Sequence, residues 1–166
     1  MKDFSQIQLH TIQSVFTKSN TGEIHFGDVI QQLIAIGIES YFVDYRCGET
    51  TYYFPNGKFI RHSFKAEITE ITEITEITEI TEITEITEIT EITEITEITE
   101  ITLHFDLQKI KQAIAGAQSG QVMYPQFKEL TYLAGCIGYF VWIKGKNVQY
   151  LGRLGEAHTE KFPESI

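Results

Sequence analysis

The chain has 166 residues, a formal net charge of −10 at pH 7, five histidines and two cysteines. That length suits one domain with one core, and two cysteines without a CxxC or metal-ligand spacing exclude a disulfide framework. The longest apolar stretch, Ala134 to Ile143, is about half of the ~20 residues a membrane-spanning helix needs, and the start, MKDFSQIQLH, lacks the apolar segment of a signal peptide.

In chain order, the first predicted element is an amphipathic helix carrying Phe4, Ile7, Ile12, Val15 and Phe16, closed by a turn at Gly22. A shorter helix follows with Val29, Ile30, Leu33 and Ile34. It ends at Gly37, which suits the left-handed position after a helix. A strand over 38–45, rich in aromatic and β-branched residues, turns at Arg46 to Glu49 into a second strand over 50–54. Residues 1–66 form this first unit.

A Glu-Ile-Thr tract then runs from Glu67 to Thr102 in twelve perfect copies and supplies twelve of the 23 acidic residues. Outside it, eleven acidic residues meet 13 basic ones, so the acidity belongs to the tract and not to the domain. A period of three changes strand face at each repeat. On an α-helix it advances about 300° per repeat, so no isoleucine stripe stays on one side. Two of every three residues are β-branched and disfavour helix, and the glutamates at i and i+3 repel. The expectation is a solvated, mobile linker or a marginal helix without a fixed partner; the glutamates oppose an adhesive β segment.

Residues 103–166 repeat the first unit. Phe105, Ile110, Ala113, Ile114 and Ala117 form the helical stripe, and Gly120 the turn. A second helix starts near Pro125 and carries Phe127, Leu130 and Leu133, and Gly135 ends it. Strands over 136–143 and 148–151 flank a turn at Lys144 to Asn147. A shift of 98 residues aligns 10–58 with 108–156 without a gap. It lays Tyr41-Phe42-Val43 on Tyr139-Phe140-Val141, Tyr52 on Tyr150, and Gly22, Gly37 and Gly57 on Gly120, Gly135 and Gly155. The predicted fold is α+β: two pseudo-symmetric helix–helix–hairpin units making one antiparallel sheet with helices on one face.

The stretches Gly37-Ile38-Glu39-Ser40-Tyr41-Phe42-Val43-Asp44 and Thr51-Tyr52-Tyr53-Phe54-Pro55-Asn56-Gly57 resemble the YdfO/YbcV-like prophage proteins. So do Ala134-Gly135-Cys136-Ile137-Gly138-Tyr139, Tyr150 to His158, and Phe162-Pro163. These small bacterial proteins often carry the label "phage envelope protein". The resemblance implies a compact α+β domain and supplies no activity; the Glu-Ile-Thr tract departs from the family pattern.

Chemistry is sparse. There is no G-x-S-x-G, H-E-x-x-H or Walker A loop, and His10, His25, His62, His104 and His158 lack ligand spacing, so neither metal nor cofactor is expected. Cys136 reads as a buried inert thiol and Cys47 as the more exposed and oxidisable one. Residues 1–66 hold six basic and six acidic side chains and residues 103–166 seven and five, which makes no basic stripe for nucleic acid. Trp142 and Tyr45 offer an exposed platform as one use, against which the favoured reading is a hydrophobic sheet face.

The duplication serves as a filter. Residues alike in both copies, such as Tyr41 with Tyr139 and Tyr52 with Tyr150, read as scaffold. Polar residues without a polar counterpart need another reason: Glu39, Asp44, Arg153 and His158, with Glu156 beside Arg153, form the candidate pocket. The plain alternative makes Asp44 and Glu39 ordinary surface groups and Arg153 with Glu156 a salt bridge. The expected function is a small cytoplasmic binding or regulatory module of prophage type, holding a protein partner or small ligand, with no membrane. The alternatives are a small hydrolase using Asp44 or Glu39 with His158 and Arg153, and a phage structural component.

Overall fold

The computed structural model describes residues 3–64 and 100–166. Most of the Glu-Ile-Thr tract, and the expectations attached to it, lies outside the described residues. Helices α1 (Gln6–Asn20) and α2 (Phe26–Ala35) precede strands β1 (Ser40–Asp44), β2 (Glu49–Tyr53) and β3 (Phe59–Ser63). Helices α3 (Leu107–Gln118) and α4 (Tyr124–Leu133) precede β4 (Cys136–Trp142), β5 (Asn147–Gly152) and β6 (Ala157–Lys161). The class is α+β, with four helices and a six-stranded antiparallel sheet among the described residues.

Local chemistry explains the helix starts. Ser5 and Gln8 form a reciprocal capping box: the Gln8 N–H donates to Ser5 Oγ at 3.1 Å, and the Ser5 N–H to Gln8 Oε1 at 3.0 Å. Asp106 accepts from the Lys109 N–H at the start of α3, and Pro125 occupies the first turn of α4. Gly37 and Gly135 follow α2 and α4 with φ of 88° and 93°, as a left-handed helix stop requires.

The strand order is β3-β2-β1-β4-β5-β6. Each expected hairpin is therefore a three-stranded meander. The added strands β3 (FIRHS) and β6 (AHTEK) are the sheet edges, and their alternately exposed residues are too polar to read as buried strands. The central seam is β1 against β4, with Phe42 opposite Phe140, Tyr41 opposite Val141 and Val43 opposite Tyr139. A register shift between Cys136 and Gly138 bulges β4.

Alternation then divides the sheet. Tyr41, Val43, Thr50, Tyr52, Tyr139, Val141, Val148 and Tyr150 share the inner face and are all buried. The helices cover this face: Phe127 of α4 meets Tyr139 and Tyr150 edge-on, and Phe16 of α1 packs on His62. The outer face carries Phe42, Phe140 and Trp142 in a stack with centroid separations of 4.3 and 4.8 Å.

Several expected core residues face out. Ile7, Ile34, Leu130 and Leu133 are exposed, while α4 buries Phe127 and Thr131 instead. The face of α4 toward the sheet is set by the i, i+4 pair Phe127 and Thr131, which turns Leu130 and Leu133 away. Tyr45 is buried rather than part of a platform, and its hydroxyl lies 2.8 Å from Thr131 Oγ1. The end of the tract also departs from expectation. Ile101 is in the core, and its carbonyl accepts from Arg153 Nη1 at 2.7 Å, so the last repeat has a fixed partner.

The two helix-stop glycines differ in surroundings. A Cβ at Gly37 meets nothing within 4 Å, whereas one at Gly135 would collide with the His104 carbonyl. Urea denaturation is expected to show Gly37→Ala destabilised by about 1–2 kcal/mol, the cost of a left-handed L-residue. Gly135→Ala should lose about 1–3 kcal/mol more through the collision. Equal losses would contradict this packing.

Candidate functional site

The five polar residues singled out by asymmetry do not gather. Asp44 ends β1 and is absorbed locally: its Oδ1 accepts from the Arg46 N–H at 2.9 Å and from Arg46 Nε at 3.1 Å, and its Oδ2 pairs with Nη2 at 3.0 Å. Partial burial pushes its pKa up, but the Arg46 hydrogen bonds and charge outweigh that, so the carboxyl sits below its ordinary range. Glu39 lies before the opposite end of β1, 3.9 Å from Lys144 Nζ. Arg153, in the β5–β6 turn, holds the Ile101 carbonyl and lies 3.5 Å from Glu100. Glu156 Oε1 accepts from the Leu154 N–H at 2.8 Å, so the expected Arg153–Glu156 bridge is replaced by two separate contacts. His158 Nε2 is 2.8 Å from Glu160 Oε2 on edge strand β6.

Register separates the postulated acid and base. Asp44 aligns with Gly138 and, through it, with Leu151 and Ala157. His158 aligns with Tyr150, Tyr139 and Val43. The two sets occupy opposite faces of the sheet, so Asp44 and His158 form no pair. Among the described residues no group of three His, Cys, Asp or Glu side chains could hold a metal ion, and no helix is long and apolar enough to cross a membrane.

A concave feature lies on the inner face. A cavity of about 480 Å³ opens between the sheet and all four helices. Its floor is Tyr41, Val43, Thr50, Tyr52, Tyr139, Val148 and Tyr150, and its roof includes Phe16, Ile24, Ile114, Ala117, Tyr124 and Phe127. Phe26, in edge contact with Phe162 at 5.3 Å, lines it together with the closing segment through Ile166.

The tyrosines that the repeat pattern assigned to scaffold are therefore the floor of the cavity. The period-two pattern makes the reason visible: Tyr41 and Tyr52 face each other across β1–β2 with rings 5.5 Å apart, as Tyr139 and Tyr150 do across β4–β5 at 5.6 Å. Burial raises the pKa of Tyr41, Tyr52, Tyr139 and Tyr150, and the neighbouring hydroxyl of Tyr124 adds to it in each. Tyr124 itself is raised by burial, partly offset by a hydrogen bond with Tyr139. A polar handle repeated at buried positions, where phenylalanine would pack equally well, was the available sequence signal.

The cysteines are ordinary. Burial pushes the Cys136 thiol up to about 11, with hydrogen bonds to Gly138 and Leu151 opposing. Cys47 is exposed, and burial followed by Asp44 and Glu49 raises its pKa, which works against the reactive thiolate.

No protein-family model matches this chain, and no curated protein matches it in sequence.

Raised tyrosine pKa values make stability sensitive to alkali. The unfolded chain releases phenolic protons near 10.0, before the folded one does. The tyrosines' share of the stability is therefore fully present below pH 10 and declines as pH rises toward the folded values. Denaturation midpoints measured from pH 8 to pH 12 should fall slightly above about pH 9, where the unfolded chain frees the Cys136 thiol, and steeply above about pH 10. Simultaneous replacement of Tyr41, Tyr52, Tyr139 and Tyr150 by phenylalanine should flatten that fall, and an unchanged slope would refute the assignment.

Proposed function

We propose that this chain is a small-molecule binding module of regulatory type, built as two copies of one unit around a shared cavity. The carrying observation is the cavity of about 480 Å³, within the roughly 300–1,000 Å³ that small-molecule sites occupy. Its walls are mainly apolar and aromatic, with a few polar groups among them. The five asymmetric polar residues, by contrast, spend their hydrogen bonds on neighbours at separate places.

The central seam supports the two-copy architecture. Phe42 and Phe140, equivalent under the 98-residue shift, face one another. The pairs Tyr41–Val141 and Val43–Tyr139 exchange under the same shift, as a twofold axis through the seam requires. Matched glycines support it too, with φ of 77° and 78° at Gly22 and Gly120 and of 85° and 86° at Gly57 and Gly155. Two free thiols fit a reducing cytoplasm. A prophage origin within the YdfO/YbcV-like group belongs to the same proposal and rests on the motifs around Tyr41 and Tyr139.

Ala117 lines the cavity from α3 without being fully buried, so Ala117→Trp should fill the space without dismantling the core. The unaltered chain is expected to enhance the fluorescence of Nile red, a neutral apolar dye. Ala117→Trp should weaken that binding by about tenfold or more, the effect of losing ~1.4 kcal/mol of apolar contact, at an unchanged thermal midpoint. Absence of dye binding to the unaltered chain, or equal binding by the variant, would overturn the proposal.

A further inference from the structure

The hydroxyls on the cavity floor narrow the ligand. Tyr41, Tyr52 and Tyr150 are 6%, 4% and 5% exposed. Among the described residues, none of their hydroxyls hydrogen-bonds to the protein, in contrast to Tyr45 with its Thr131 partner. Nor are they sealed in: the buried side-chain oxygen cut off without a partner is that of Tyr132, which lies outside the cavity lining. Three phenols that face open space inside a buried site have donors to give. Leaving them unpaired beneath an apolar occupant costs free energy, and a ligand that accepts from them recovers it.

Charge sets the second limit. The formally charged residues of the lining are Asp28, Glu160 and Lys161; Asp28 and Lys161 are exposed, and Glu160 is half-buried beside His158. No cation stands among the floor residues to receive an anion, and the one half-buried carboxylate of the lining, Glu160 opposite Val148, already lies 2.8 Å from His158 Nε2. An anionic ligand would leave water for phenols, hydrocarbon and a like charge, and a cation would have to displace the His158 contact. Size sets the third. A dry cavity of ~150 Å³ takes one benzene, so this one accommodates about three fused rings.

We propose that the cavity binds an uncharged planar aromatic molecule of two to three rings that carries carbonyl or ether oxygens, oriented by the hydroxyls of Tyr41, Tyr52 and Tyr150. This rests on the binding reading above and specifies its ligand class. The thiol-inert xanthone, with a carbonyl and a ring ether, is the probe. Anthracene shares its three-ring shape without oxygen, and xanthone-2-carboxylate adds a negative charge.

Equilibrium dialysis against the full chain should show xanthone bound at least about fivefold more tightly than anthracene, and the carboxylate about tenfold or more weaker than xanthone. Tyr41→Phe, Tyr52→Phe and Tyr150→Phe should each weaken xanthone binding by about two- to twelvefold, the worth of one neutral hydrogen bond. Anthracene binding should not change. Thermal midpoints should stay in place as well, because no protein hydrogen bond is lost. Equal binding of anthracene and xanthone with silent tyrosine variants would overturn the ligand class and leave the binding site standing. Tightest binding by the carboxylate would overturn its neutrality. Failure of all three probes together with failure of Nile red would overturn both proposals, whereas their failure with Nile red still bound would overturn this one alone.

Discussion

The antiparallel pairing of β1 with β4 is the contact on which the remaining structure depends. It joins residues about 98 apart in sequence and converts two three-stranded meanders into one six-stranded sheet. Its inner side buries Val43 and Val141 almost completely, and its outer side stacks Phe42 on Phe140. Gly138 makes the close approach possible, since a Cβ there would strike the Val43 carbonyl. A slip of one residue along this seam would turn every side chain of one meander to the wrong face. With the seam in register, Tyr41 and Tyr52 from one half lie on the same face as Tyr139 and Tyr150 from the other.

That juxtaposition produces a site from residues that are unremarkable one at a time. A tyrosine in a sheet packs its ring and needs a partner for its hydroxyl. Tyr45 finds Thr131, while Tyr41, Tyr52 and Tyr150 meet open space beneath α1, α3 and α4. The polar side chains that look distinctive in sequence do the reverse. Asp44 folds onto Arg46 two residues away, Glu156 caps its own turn through the Leu154 N–H, and Arg153 secures the end of the tract. Short-range hydrogen bonds satisfy them before they reach any concave surface.

The legible parts of the fold are those with local causes. Gly37 and Gly135 announce helix ends because a left-handed residue there favours glycine, and Pro125 announces the start of α4. The aromatic, β-branched runs at Tyr41 and Tyr139 announce strands. The edge strands are not legible because FIRHS and AHTEK alternate exposed and half-buried residues, a pattern that becomes a strand only beside β2 and β5. The inward face of α4 is hidden in the sequence for a related reason. Leucine at 130 and 133 outranks threonine at 131 in hydrophobicity, but Thr131 is buried with its hydroxyl donating to the Phe127 carbonyl and meeting Tyr45.

By itself the sequence determined the α+β class, the order of the two helices and first two strands in each half, and the separation of the domain's charge from that of the Glu-Ile-Thr tract. Those properties follow from periodicity, turn chemistry and composition, which act over a few residues. Only the tertiary structure decided that the halves meet through β1 and β4, that the repeated tyrosines form the floor of a cavity, and that Asp44 and His158 stand on opposite faces. Each of these depends on register between strands far apart in the chain, and register is set by packing across the whole sheet rather than by any local preference.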